Sequence, residues 1–207
     1  MKKKWVLIVF CFMTVFALLA AGKKAASKTV IVIDVGHGGK DPGKVGVNGA
    51  LEKDVNLQIA KKLEQVLKKK YEVILTRSGD EKKSLKERVE FIEEQIPKLV
   101  ISIHQNSYPS PNVKGAQVFY YTDSEEGKRL AEILQGTIKT EITDGNHREA
   151  KGNRDYYILS HTTIPLAIVE CGFLSCPEEE KKLQSEEYQK KMAEAISKGI
   201  EMYLAEP

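Results

Sequence analysis

The run TVIVIDV, Thr29–Val35, is the strongest constraint on how this chain can fold. β-Branched and apolar residues follow one another without a polar alternate, so the run reads as a strand buried on both faces. Such a strand needs a covering layer on each side, as in a parallel sheet flanked by helices. The following sequence supplies those layers. From Lys53 to Lys70 the residues Val55, Ile59, Leu63, Val66 and Leu67 recur at helical spacing. Tyr71–Thr76 reads as a second strand. Ser84 and Glu87 form a capping box. It opens a helix expected to turn Leu85, Val89, Ile92 and Ile96 inward, and Pro97 marks its end. Leu99–Ile103, Lys114–Thr122 and Pro165–Val169 read as three more strands, the second of them at or near an edge. Glu125–Ile142 reads as a helix with Leu130, Ile133, Leu134 and Ile138 inward, Thr143–Arg154 as a polar loop, and Met192–Leu204 as a closing amphipathic helix. Alternating strands and helices predict an α/β, three-layer sandwich with a mostly parallel sheet and right-handed connections.

The N-terminus follows different rules. Lysines at positions 2–4 precede Trp5–Ala21, apolar throughout except for Thr14, and Ala20, Ala21 and Gly22 end it. As a helix the stretch is about 26 Å long at about 1.5 Å per residue, close to the hydrocarbon thickness of about 30 Å. Residues 1–28 therefore read as a signal peptide or membrane anchor with a short linker. Residues 29–207 read as a single domain, working outside the cytoplasmic membrane and touching it only through that leader. Charge agrees. The chain has 32 Lys and Arg against 29 Asp and Glu, a formal +3. The leader holds six lysines and no acid, which leaves the body at 26 against 29, or −3. No nucleic-acid partner is expected of a net-acidic body. Cys171 and Cys176 are too few for a disulfide framework and read as free thiols.

Open α/β sheets place their sites outside the carboxyl ends of the strands. Asp34 and His37 stand at the first such end, His104 and Asn106 at the third, and Glu170 at the fifth. Glu52 opens the first helix, on the same edge. Two imidazoles and a carboxylate make a His₂Glu zinc set with one open position. Gly36, Gly38 and Gly39 would let the backbone pass close to the ion. Zinc lowers the pKa of a bound water to about 7. Amide hydrolysis then needs a carboxylate to move the proton to the leaving amine. Glu52 or Glu170 could do this while the other binds metal, and spacing leaves the choice open. Asp34 could hold a ligand imidazole by its second nitrogen. His147 and His161 lack strand-end placement and read as surface or substrate-side residues.

Four segments, IVIDVGHGGKDPG, LEKDVNLQIAKKL, ISIHQNS and AIVECGFLSCPEE, together resemble the zinc-dependent N-acetylmuramoyl-L-alanine amidases, in the right order from about Thr29 to Leu204. The resemblance implies one zinc ion per chain on His37, Glu52 and His104, with Glu170 as the catalytic carboxylate. It implies a mixed six-stranded sheet. It implies a peptidoglycan substrate, cut at the amide between N-acetylmuramic acid and L-Ala. The run KGAQVFYYTDSEEGKRLAEILQ is similar to germination-type amidases, whose action leads to muramic-δ-lactam in the spore cortex. That implies export to the cell wall or the space between the forespore membranes. Val35 stands where the family usually has proline, which is expected to loosen the loop before His37, and Cys176 where it usually has asparagine. The chain lacks the regulatory helix insertion of division amidases, so timing or a protein activator would control it. A zinc deacetylase on the same glycan and a non-catalytic peptidoglycan-binding protein are the alternatives; released acetate, or binding without product, would mark them.

On the substrate side, Asn106, Asn146, Arg148, Lys151, Asn153 and Arg154 are candidates for peptide carboxylates or glycan hydroxyls, and arginine offers a two-pronged fork. Tyr156 and Tyr157 are expected to pack, and Glu178–Lys182 to form a capped, solvated helix start.

Overall fold

The computed structural model describes residues 28–142 and 145–205. The leader, apart from Lys28, lies outside the described residues. Among the described residues no helix is long and apolar enough to cross a membrane.

Strand β1 (Val30–Val35) is buried from Ile31 onward, as its unbroken apolar run requires. β2 (Glu72–Leu75), β3 (Leu99–Asn106), β4 (Gln117–Tyr121), β5 (Lys151–Asn153) and β6 (Leu166–Phe173) complete one sheet of order β2-β1-β3-β6-β4-β5. All neighbours are parallel except β4, which runs antiparallel to β6. The sheet is thus the expected mostly parallel, mixed and six-stranded one, and β4 is second from an edge. β5 falls inside the segment read as a loop. Its residues Lys-Gly-Asn carry no apolar alternation, and pairing with β4 alone makes it a strand.

The helices are α1 (Glu52–Leu67), α2 (Leu85–Gln95), α3 (Glu125–Glu141), α4 (Tyr157–Ser160), α5 (Pro177–Leu183) and α6 (Glu186–Ala205). Ile31, Ile33, Ile101, Ile103 and Val169 share one core with Ile59 and Leu63 of α1, Leu130 and Leu134 of α3, and Ile196 and Ile200 of α6. Val32, Val100 and Ile168 share the other with Ile92 of α2 and Ile158 and Leu159 of α4. Burial on both sides explains why β1, β3 and β6 are apolar along most of their length, with no regular polar alternation.

Three expectations are corrected. In α2 the capping box is present, but Leu85 is 50% exposed and Ile96 83% exposed. Ile96 is the left-handed C-cap at φ 48° and points away. Arg88 is buried beside Ile92 instead. The closing helix starts at Glu186, six residues before the predicted Met192. The acids after Cys176 are not all solvated: Glu179 and Glu180 are buried. Glu180 accepts the amide N–H groups of Asn48 and Ala50 and the Asn48 side-chain Nδ2. Glu179 accepts those of Gly115 and Phe173. The pair therefore pins the loop before Glu52 and the end of β6 to one short helix. An added Cβ at Gly46 would meet Glu180 Oε1 at 2.2 Å, so the loop passes where only glycine fits. Glu180→Ala takes the charged acceptor away from these part-buried donors, each such bond being worth about 1.5–3 kcal/mol. A loss of about 3 kcal/mol or more in urea unfolding is expected. Cys171 and Cys176 are free thiols, both buried, as read from the sequence.

Candidate metal centre

β1 stops in the Gly-rich loop because His37 turns to φ 60°, a left-handed backbone that a side chain rarely adopts. Two buried arginines hold that turn. Arg88 Nη2 donates to His37 O (3.2 Å), and Arg77 donates to Val35 O (3.2 Å) and Gly36 O (3.0 Å). The His37 ring is oriented by Asp41, whose Oδ2 lies 3.0 Å from Nδ1. Nε2 then faces Glu52 Oε1 at 3.2 Å. The same oxygen is 2.9 Å from His104 Nδ1. Backbone amides fix the carboxylate: Gln105 N–H donates to Oε1 (3.1 Å) and Lys44 N–H to Oε2 (2.8 Å). Burial would push the Glu52 carboxyl up, but the hydrogen bonds and charges of His104 and His37 outweigh it and hold it well below the usual carboxylate range. One ligand atom from each of His37, Glu52 and His104 lies within 4.8 Å of the others, a donor set of the kind zinc takes.

Two glycines make this convergence possible. A Cβ on Gly36 would sit 2.4 Å from the His104 ring. A Cβ on Gly43, at φ 65°, would sit 2.5 Å from Glu52 Oε2 and 2.6 Å from the His37 ring. Gly38 and Gly39, expected to face an ion, instead abut the Glu81 carbonyl and Lys82. Gly36→Ala forces the His104 imidazole aside. A roughly 10- to 100-fold loss in metal affinity is expected, as for disturbed ligand orientation elsewhere, read by competition with a fluorescent chelator.

Glu170 stands opposite His104 where β6 pairs with β3. It is buried, and its Oε2 has no hydrogen-bond partner among the described residues. Burial pushes its carboxyl up to about 7, with the charge of His104 opposing and that of Glu52 adding. A buried carboxyl with an idle oxygen beside three metal-type donors is poised to exchange a proton.

The expectation for Asp34 is corrected. It is wholly buried and accepts from Thr76 Oγ1 (2.9 Å) and Ser102 Oγ (2.6 Å), with Arg88 Nη1 at 3.5 Å. It reaches His37 only through Arg88, and Asp41 takes the imidazole. Arg77, Arg88, Asp41, Gly43 and Asn56 were not singled out from sequence. Asn56, whose Nδ2 donates to Gly36 O (3.1 Å), did carry a signal: it lies one turn after Glu52 on the buried face of α1.

The substrate-side candidates separate. Asn153 Oδ1 caps the N–H groups of Asp155 and Tyr156, and both terminal nitrogens of Arg154 engage Asp123. Asn106 Oδ1 accepts from Ser107 N, and Lys151 is exposed on the edge strand. Asn146 Nδ2 donates to Ala116 O. Tyr157 stacks on His161 and Tyr156 packs edge-on against Phe119, so both pack as expected. Arg148 and His147 line a common cavity.

The chain is similar to known proteins. The sequence profile described as N-acetylmuramoyl-L-alanine amidase matches residues 31–202. The germination-specific N-acetylmuramoyl-L-alanine amidase of Bacillus subtilis is 36% identical over 87% of this chain and 81% of its own length. The CwlD amidase of Clostridioides difficile, solved in complex with the GerS lipoprotein, superposes with a TM-score of 0.82 at 37% identity, covering 86% of this chain and 98% of that one. Amidase AmiC2 of Nostoc punctiforme gives 0.83 at 40% identity over 87% and 99%.

Proposed function

The chain belongs to the N-acetylmuramoyl-L-alanine amidase family, and we propose that it works as a zinc enzyme with His37, Glu52 and His104 as the metal ligands and Glu170 as the proton-transfer group. The family's activity is cleavage of the amide joining N-acetylmuramic acid to the peptide of peptidoglycan. The observation that carries the assignment is the convergence of three donor atoms beside a buried carboxyl with one oxygen unbonded. When bound there, zinc supplies a Lewis acid that acidifies water and polarises the scissile carbonyl. Glu170, ionised, accepts the proton of the attacking water. Protonated, it returns that proton to the departing L-Ala nitrogen, so one group serves as base and then acid. Its carboxyl near 7 suits both roles at neutral pH. Asp41 keeps the His37 ring in the orientation that turns Nε2 to the metal position.

The leader fits export, so the substrate is met outside the cytoplasmic membrane. The likeness to a germination-specific enzyme supports a place in spore-cortex maturation, where freed muramic residues go on to muramic-δ-lactam. The lipoprotein complex of the related CwlD supports a protein partner for this chain as well. The test is incubation of the purified protein and zinc with cortex and with vegetative peptidoglycan, followed by mass analysis of the products. Released peptides with a new L-Ala amino terminus, and muramic residues bare of peptide, are expected. Released acetate with intact peptide linkages would overturn the reading in favour of a deacetylase. Higher turnover on cortex supports the sporulation role, and higher turnover on vegetative wall overturns it.

A further inference from the structure

A cavity of about 460 Å³ opens between the β3–β4 loop and the segment before β5, lined among others by Lys114, Asn146, His147, Arg148 and Glu179. We propose that it is a subsite for a carboxylate of the substrate's peptide, with Arg148 as the binding residue. The proposal rests on the amidase reading above and adds a specificity element to it.

Arg148 is built into place. Its Nε donates to Lys114 O (2.8 Å) and its Nη1 to Gln117 Oε1 (3.1 Å). Its guanidinium lies over the Phe173 ring, with Cζ 4.6 Å from the centroid. None of these partners is a carboxylate, and Nη2 donates to nothing among the described residues. The contrast with Arg154 is direct, because Asp123 already takes both terminal nitrogens there. Arg77 and Arg88 are buried under the His37 loop. A guanidinium held on two nitrogens and one face has already lost the freedom that binding would cost. It keeps its full charge and one open donor edge, which suits a carboxylate.

The surroundings agree. Glu179, the acid in the wall, has its oxygens occupied by the N–H groups of Gly115 (2.9 Å) and Phe173 (2.8 Å). Lys114 Nζ is 3.7 Å from Glu178, and both are exposed, so that pair holds the lysine weakly. A second cation is therefore free to turn to a ligand. In a body of net −3, such a local group is where an anion would settle.

The cavity is also in reach of the chemistry. Gln117 is directly opposite Glu170 where β4 pairs with β6, so their side chains share a face of the sheet. Arg148 bonds to that Gln117, one side chain away from the proposed proton-transfer group. An extended peptide advances about 3.3–3.6 Å per residue. A carboxylate two or three residues beyond the scissile bond can therefore meet Arg148.

Two soluble muramoyl-peptides, identical except that the peptide carboxylates are free or amidated, test this. The wild-type protein with zinc is expected to favour the free form by roughly 10- to 100-fold in kcat/KM, the size of one charged hydrogen bond, with the difference in KM. Arg148→Gln is expected to remove most of that preference, and Lys114→Gln a smaller part of it. Equal wild-type rates on both substrates overturn the subsite and leave the amidase reading standing. An Arg148→Gln protein that is slower on both but keeps the ratio also overturns it, since Arg148 then only braces β6. Wild-type cleavage of neither substrate overturns the amidase reading and the subsite with it. Should Arg148→Gln fail to fold, the wild-type comparison and Lys114→Gln decide.

Discussion

Replacing Glu170 by glutamine is expected to abolish amide hydrolysis, leave zinc at one ion per chain, and make the metal-free protein more heat-stable. The first effect follows from the proposed role. General acid–base groups contribute about 10²–10⁴-fold to rate, and glutamine can neither accept nor return the proton. The second follows from position, because the three proposed ligands hold one another without Glu170. The third follows from burial. The folded state raises the Glu170 carboxyl from about 4.5 to about 7, so it favours the protonated form. Any stability gained from that form is full below pH 4.5 and lost as pH rises through 7. Above 7 the wild type keeps a buried carboxylate ionised at a cost of about 3 kcal/mol. Glutamine carries no such cost. Thermal unfolding in chelator should therefore show a higher Tm for Glu170→Gln at pH 8, and the difference should vanish near pH 4.5. Retained activity in this variant would remove Glu170 from the chemistry, and loss of zinc would make it a ligand instead.

The residues of the centre were legible because β1, β3 and β6 are buried on both faces. His37 follows the end of β1 by two residues, and His104 and Glu170 pair across β3 and β6 near their carboxyl ends, whereas Asp34 and Ser102, the first polar residues of β1 and β3, stay wholly buried. Parallel pairing of β1, β3 and β6 then forces the three ends to one edge. What supports the centre was not legible, because it consists of charges that look solvated in sequence. Arg88 occupies a helix position where a surface arginine would be unremarkable, yet it is buried and bonded to the His37 carbonyl. Glu179 and Glu180 sit in a run of acids and lysines, yet they clamp two loops. Asp34 precedes His37 by three residues and Asp41 follows it by four. Only the reversal of the chain at Gly38 and Gly39 brings Asp41 to the ring, and spacing does not encode that. Val35, in place of the usual family proline, does not leave the loop loose. Its N–H, which proline would lack, donates to Thr76 Oγ1 (2.9 Å), and Thr76 Oγ1 in turn donates to Asp34.

Replacing Glu52 by alanine should also abolish activity, but with the opposite signature in metal and stability. Glu52 Oε1 touches both imidazoles, and two backbone amides hold the carboxylate from behind. Its depressed pKa means that it meets a cation already ionised, with no proton to displace. Without it, two imidazoles remain with nothing to fix their separation, too few to hold zinc in a His₂Glu site. Zinc measured by elemental analysis after dialysis should fall to a small fraction of one per chain. The metal-free protein should also lose stability, by about 1–3 kcal/mol, because the Gln105 and Lys44 amides and both imidazoles lose the carboxylate they bond to. The two glutamates, which spacing could not tell apart, are thus separated by the pair of variants. Both lose activity, but one keeps zinc and gains stability while the other loses both. Zinc retained at one ion per chain in Glu52→Ala would transfer the ligand role to Glu170 and reverse the assignment of base and ligand.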